Sequence, residues 1–220
     1  MQPARAVLFD LDGTLVDTER ENVESVVLAA RRWQVELGPD LRHFIVGHSW
    51  NEIYDRIRSE CGLEVEMAVL IAAAVEEKRA LFASKGYEAL PGAVALVRRL
   101  HGRAGLAIVS GSSRVEVRET VAGIGLTACF DCLLGAEDYY QGKPHPEPYL
   151  TAMRLLGVEP QGSLVIEDAE PGIRAGKAAG ARVVAVRRAN FLGYDQSAAD
   201  VIVDTLEQVD DQLLDRLWAR

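Results

Sequence analysis

The sequence predicts an α/β protein: a Rossmann-like, doubly wound parallel sheet with an α-helical domain inserted into it. Three observations carry this expectation. Short continuous apolar runs recur along the chain, each followed by a stretch with helical spacing, as strands buried on both faces of a parallel sheet require. One long segment, 18–88, breaks that alternation and holds no convincing strand. The 220 residues suffice for one good core together with a small accessory domain.

The first strand is Ala6–Phe9, and it runs directly into Asp10-Leu11-Asp12-Gly13-Thr14. In a strand continuation alternate side chains share a face, so Asp10 and Asp12 fall on one side. Carboxylates that close repel each other unless a cation neutralises them. Asp-Gly is also a turn signal, and a turn is the plain alternative for the pair. Within 18–88, Val23, Val26, Val27 and Ala30 recur at helical spacing. So do Trp50, Ile53, Ile57 and Cys61, and then Met67, Leu70, Ile71, Ala74, Leu81 and Phe82. These predict a small helical bundle, leaving the chain just after the acidic strand end and so expected over the ligand-binding rim. Leu90-Pro91-Gly92 marks the return, which makes 1–17 and 89–220 the main domain. There the expected helices are Ala93–Leu100, Val115–Ile124, Pro148–Leu156, Ile173–Ala179 and Leu206–Leu217. The expected strands are Leu106–Val109, Leu164–Ile166 and Val183–Val186, with weaker ones at Cys132–Leu134 and Val201–Val203. Right-handed crossovers place the carboxyl ends of all strands along one rim, where ligands bind.

Composition narrows the partners. With 24 basic and 33 acidic residues the net charge is −9, which argues against nucleic acid and against an anionic membrane surface. No apolar run approaches the roughly 20 residues of a membrane span. A strand beginning at residue 6 leaves no room for a signal peptide, and three cysteines, an odd count, suit a reducing compartment, so a cytoplasmic location is expected. Cys129 and Cys132 have CxxC spacing. No second pair exists and the four histidines are scattered, so the cysteines read as buried structural thiols rather than a zinc or redox site.

Four features stand at strand ends or in loops beside them. Asp10 and Asp12 are the first. Ser110 closes the second apolar strand and is followed by Gly111-Ser112-Ser113 at the start of a helix. A hydroxyl plus free backbone N–H groups in that position can cradle a phosphate, although Ser112 or Ser113 also suits a helix cap. Lys143 lies in the three-proline loop Gly142-Lys143-Pro144-His145-Pro146-Glu147-Pro148, in a chain with 20 arginines and four lysines. A compact ammonium there can contact a phosphate or carboxylate as a point charge. Glu167-Asp168 close the strand Leu164–Ile166, with Pro171 suited to the first turn of the next helix. Capping explains Asp168 alone but not acids on two separate strands. Carboxylates gathered around a hard divalent cation explain both, and oxygen-only ligands favour Mg²⁺ over zinc. The parts suit phosphoryl transfer: one carboxylate attacks, a second two residues on handles protons, and metal, lysine and serine loop neutralise the phosphoryl oxygens.

In order and spacing these motifs resemble those of the haloacid dehalogenase superfamily, across nearly the whole chain. Asp-Leu-Asp-Gly-Thr resembles its first motif, Ser110 the second, Lys143 the third and Glu167-Asp168 the fourth. The helical insertion is similar to the family's C1 cap. The resemblance implies Asp10 as nucleophile and Asp12 as general acid/base, with Ser110 and Lys143 completing the catalytic set. It implies phosphate binding by Leu11, Asp12, Ser110, Gly111 and Lys143. It further implies Mg²⁺ held by the Asp10 side chain, the Asp12 backbone carbonyl and Asp168, with Glu167 assisting. Dehalogenases of the family lack the second acid, and phosphonate cleavage calls for a cap lysine where only Lys78 and Lys85 are candidates, so neither reaction is expected. The subgroup looks like the β-phosphoglucomutase-like and sugar-phosphate phosphatase branch.

Two departures separate this chain from the mutases. The mutase histidine that restrains water attack corresponds to Asn22. The mutase Gly-x-Ser-Arg cap loop reads Gly47-His48-Ser49-Trp50, without the guanidinium that would grip a second phosphate. The expectation is therefore a Mg²⁺-dependent phosphatase acting on a small phosphorylated metabolite, a sugar or polyol phosphate, through a phosphoaspartyl intermediate. Asn22, His48, Trp50 and Asn51 are the candidates for substrate selection, with Arg20 at the hinge; Trp50 also reads as a helix anchor. A monomer is expected. The alternatives are a phosphosugar mutase and a catalytically idle binding protein on the same fold.

Overall fold

Strands β1 (Ala6–Phe9), β2 (Gly105–Val109), β3 (Cys132–Leu134), β4 (Ser163–Glu167), β5 (Arg182–Val186) and β6 (Val201–Val203) form one sheet in the order β3-β2-β1-β4-β5-β6, every pair parallel. The computed structural model describes residues 5–46, 48, 50–187 and 193–219. Leu8 pairs with Ala107 on one side and Val165 on the other, so β1 is flanked by the two strands that carry the later motifs. The winding runs outward to β3, then returns across β1 to β4 and runs out the other way. That reversal opens the crevice at the carboxyl ends of β1 and β4, where ligands of such sheets bind.

The strands are legible because they are apolar without alternation: all four residues of β1 and all five of β4 are buried. On one face Ala6, Leu8, Ala107, Val109 and Val165 pack with Tyr149, Ala152, Met153 and Ile173. These last belong to helices α7 (Glu147–Leu156) and α8 (Glu170–Ala178). On the other face Phe9 meets Phe130 edge to face at 6.0 Å. Helices α5 (Ala93–Leu100), α6 (Arg114–Gly123) and α9 (Asp211–Trp218) complete this unit. One expected helix is corrected. Leu206–Gln208 is a separate 3₁₀ turn, because Asp210 turns extended (φ −86°, ψ 175°) and its carboxylate accepts from the Leu213 N–H at 2.8 Å, starting α9 afresh. All three cysteines are free and half-buried rather than buried, Cys132 lying against the sheet core.

The chain divides into two compact units, Met1–Asp17 with Glu88–Arg220, and Thr18–Tyr87. Glu88 goes with the sheet unit, since its carbonyl accepts from the Asp17 N–H at 3.1 Å and Val16 bridges Ala89. The second unit holds α1 (Glu19–Arg31), α2 (Pro39–Ile45), α3 (Trp50–Cys61) and α4 (Met67–Lys85). Its own core is built from Val26, Val27, Ala30, Ile53, Ile57, Leu70 and Ala74, among others. Helix α2 has no counterpart in the sequence expectations. Its signals are Pro39 in the first turn and the buried pair Leu41 and Ile45. Among the described residues no helix is long and apolar enough to cross a membrane.

Candidate active site

The first strand ends at Phe9 because the chain turns there: Leu11 O accepts from the N–H groups of Thr14, Leu15 and Val16. The Asp10 N–H still donates to Ile166 O at 3.0 Å, so Asp10 remains zipped to β4. Gly13 adopts φ +82°, and a Cβ there would lie 2.7 Å from Asp168 Oδ2; only glycine serves both demands. Thr14 Oγ1 then donates to Asp168 Oδ1 at 2.8 Å, tying the first acidic strand end to the second.

Lys143 arrives from the loop before α7. Its Nζ donates to Asp10 Oδ1 at 2.5 Å and to Glu167 Oε1 at 2.6 Å, and sits 5.0 Å from the centre of the Tyr149 ring. The same Glu167 oxygen accepts from Tyr149 Oη–H at 3.0 Å. Its other oxygen accepts from the N–H groups of Asp168 and Ala169, at 3.0 and 3.1 Å. Glu167 thus spends both oxygens on four donors, and it bears on the site mainly through the ammonium it holds. A Cβ on Gly172 would overlap its carboxylate. Gln196 Nε2 donates to Asp168 O and Val186 O, at 2.7 and 3.0 Å, and joins the ends of β4 and β5.

Asp12 faces a different set. Its Oδ2 accepts from Ser112 Oγ at 2.7 Å and Ser110 Oγ at 3.2 Å, and Ser110 Oγ accepts from the Ser112 N–H at 3.1 Å. Ser113 settles the capping question: it caps α6 in a reciprocal capping box with Glu116. Ser110 is left for the site. The Leu11 side chain is in the core, while the N–H groups of Leu11 and Gly111 have no acceptor among the described residues.

Oxygens of Asp10, Glu167 and Asp168 lie within 4.8 Å of one another, all three residues being buried. Burial pushes the Asp10 carboxyl up to about 8 against the pull of Lys143, with Glu167 and Asp12 adding repulsion. Burial, then Glu167 and Asp10, also raise Asp168 well above the usual carboxylate range. Burial opposes the Lys143 ammonium, but Asp10 and Glu167 outweigh it and hold its pKa well above the ordinary lysine value. Three buried carboxylates therefore share one cation, and the site is short of positive charge. An all-oxygen donor set with that deficit fits a hard divalent ion.

The structure thus brings together Asp10, Asp12, Ser110, Lys143, Glu167 and Asp168 in the sheet unit. Thr14, Ser112, Tyr139, Tyr149 and Gln196, absent from the expected site, join them. Thr14 belongs to the Asp10–Thr14 motif and Ser112 to the Ser110–Ser113 loop; the two tyrosines and the glutamine carry no local signal. In the helical unit His48 is exposed, stacks on Phe44 at 3.7 Å between ring centres, and its Nδ1 lies 3.2 Å from Val46 O. Arg56 covers Phe44 in turn, at 4.4 Å. Trp50 packs half-buried against the helical core, the position of an anchor. Asn51 and Arg20 are exposed, and Asn22 is half-exposed on α1. Gly47 and Ser49 lie outside the described residues.

Comparison with known proteins follows the same lines. The profile of the haloacid dehalogenase-like hydrolases matches residues 7–186. Hexitol phosphatase A of Escherichia coli is 33% identical over 225 residues, covering 93% of each chain. Validoxylamine A 7'-phosphate phosphatase of Streptomyces hygroscopicus is 32% identical over 210 residues, 93% of this chain and 95% of that one. In fold, the chain is similar to CbbY from Rhodobacter sphaeroides solved with phosphate, with a TM-score of 0.83 at 24% identity over 94% and 96% of the two chains.

Proposed function

The chain belongs to the haloacid dehalogenase-like hydrolases, and from that premise we propose that it is a Mg²⁺-dependent phosphatase of a small sugar or polyol phosphate, working through a phosphoaspartyl intermediate. One observation carries the reading: Asp10, paired with Lys143 at 2.5 Å, stands beside Asp168 at the reversal point of the sheet, with Asp12 among serine hydroxyls. Hexitol phosphatase A and validoxylamine A 7'-phosphate phosphatase, to which the chain is similar, support that substrate class.

In this reading Asp10 attacks phosphorus and the substrate oxygen leaves with a proton from Asp12. Asp12 then takes a proton from the water that hydrolyses the aspartyl-phosphate. Lys143, Ser110 and the N–H groups of Leu11 and Gly111 balance the charge on the phosphoryl oxygens. Glu167 keeps the ammonium aimed at Asp10 and limits its swing. Asp10, the Asp12 carbonyl and Asp168 would hold Mg²⁺, with Glu167 beside them; the ion supplies the missing positive charge and keeps Asp10 ionised. The helical unit plays the part of the cap, and Asn22, His48, Trp50 and Asn51 are its candidates for substrate selection. The enzyme acts as a cytoplasmic monomer, with no nucleic-acid or membrane partner.

The test is phosphate release from a panel of phosphorylated hexitols, sugars and glycolate, with Mg²⁺ and with EDTA. Mg²⁺-dependent release from one or a few compounds, abolished in Asp10→Asn, is expected. Interconversion of glucose 1- and 6-phosphates after a bisphosphate is added, without release, would make the protein a mutase.

A further inference from the structure

The Tyr139 side chain bridges the serine loop and the lysine loop. Its hydroxyl donates to Ser110 O at 2.8 Å, and a Cβ on Gly142 would lie 3.8 Å from its ring, one residue before Lys143. The segment that delivers it is fixed at both ends. Upstream, the Ala136 N–H donates to Ser112 O at 2.9 Å, and Arg114 pairs with Asp138 at 2.6 Å. Gly135 approaches Arg114 so closely that a Cβ would lie 2.5 Å from its nitrogen. Downstream, the N–H groups of Tyr140 and Gln141 both donate to the Glu147 carboxylate, at 2.9 and 3.0 Å. A hydroxyl held so firmly fixes whatever it binds.

What it binds is one half of the Ser110–Gly111 peptide. In a trans peptide the carbonyl and the following N–H point in opposite directions. Holding Ser110 O toward Tyr139 therefore turns the Gly111 N–H away from Tyr139, and that N–H has no acceptor among the described residues. Gly111 is exposed and its Cα faces open space, so a ligand can reach the group. We propose that Tyr139 is a positioning residue of the phosphate site: its hydroxyl orients the Ser110–Gly111 peptide so that the Gly111 N–H is presented to a phosphoryl oxygen. The inference rests on the phosphatase reading. It assigns to the loop before Lys143 a part in substrate binding beyond carrying that lysine.

The experiment uses the full chain with Mg²⁺ and compares it with Tyr139→Phe, which keeps the ring and removes only the donor. Inorganic phosphate is the probe, as a competitive inhibitor. The expected result is inhibition by phosphate weakened about fivefold, the loss of one hydrogen bond, with a parallel rise in KM, little change in kcat and an unchanged melting temperature. An inhibition constant and KM equal to those of the wild type, with or without a lower melting temperature, would reduce Tyr139 to a structural prop and overturn the proposal. A second readout needs no variant: the Gly111 amide resonance of the wild-type protein should shift on adding phosphate, and a fixed resonance sinks the idea. A wild-type chain that releases no phosphate and binds none overturns the phosphatase reading itself, whereas an active wild type matched by Tyr139→Phe overturns only the role of Tyr139.

Discussion

Raising the pH in EDTA should destabilise this protein across a window where most proteins gain or hold stability. Asp10 keeps its proton in the folded state up to about pH 8, but loses it near 3.8 when the chain unfolds. Between those values the folded state binds the extra proton, so the stabilisation is full at the acid end and is lost as pH climbs through about 8. From about pH 5 to about pH 7.5 the loss is about 3 kcal/mol, at roughly 1.4 kcal/mol per pH unit for one proton. For a chain of this length that is roughly 6–12 °C in melting temperature. Asp168, raised by the same burial, acts in the same direction. Carboxylates held below their usual values, such as Asp138 and Asp200, give stability that is lost only in more acid solution, outside this window. The assay is thermal unfolding by circular dichroism over that pH range, for the wild type and for Asp10→Asn. The asparagine cannot titrate, so its curve should be flatter by about one proton. Mg²⁺ should raise the wild-type melting temperature, most strongly at the alkaline end, because the ion needs ionised ligands. Equal pH slopes for the two proteins in EDTA would refute the assignment of the buried proton to Asp10.

Other perturbations test the neighbours. Lys143→Met removes the cation beside the buried Glu167 carboxylate, and should cost about 3–5 kcal/mol by urea unfolding at neutral pH, together with all turnover; a variant as stable as the wild type would deny the clamp. Gly172→Ala drives a methyl into the Glu167 carboxylate, so phosphate release should fall sharply through a displaced Lys143, and normal kcat would be incompatible with that packing. Ser113→Ala removes the cap of α6 and should cost about 1 kcal/mol of stability while leaving KM in place; a raised KM would mean that Ser113 belongs to the site.

The sheet was legible because burial on both faces writes itself as uninterrupted apolar runs. Ala6–Phe9, Cys132–Leu134 and Val201–Val203 fall where the sequence puts them. Helix α2 is not legible because seven residues with one buried pair leave little periodicity. Leu206–Leu217 read as one helix because its apolar spacing continues across Asp210, whose cap geometry only the folded backbone reveals. In the site, Asp10, Asp12, Ser110, Lys143, Glu167 and Asp168 announce themselves through position, each at or beside a strand end. Tyr139, Tyr149 and Gln196 do not, since their roles arise from hydroxyl and amide groups delivered across the fold to carboxylate or carbonyl oxygens. The double employment of Glu167, with four donors on two oxygens, is likewise invisible in Glu167-Asp168 as written.

Asp17 N–H bonds to Glu88 O and Leu90 N–H to Leu15 O, so the chain departs and returns side by side, through a short antiparallel ladder that belongs to the sheet unit. To the sheet, the seventy residues Thr18–Tyr87 are one long hairpin loop, and lengthening or shortening a loop costs little once its ends are fixed. Such an insert is a cassette. Changes in its length leave the strands that present Asp10 and Asp168 in place, since the bond between Asp17 and Glu88 already closes the ladder at its base.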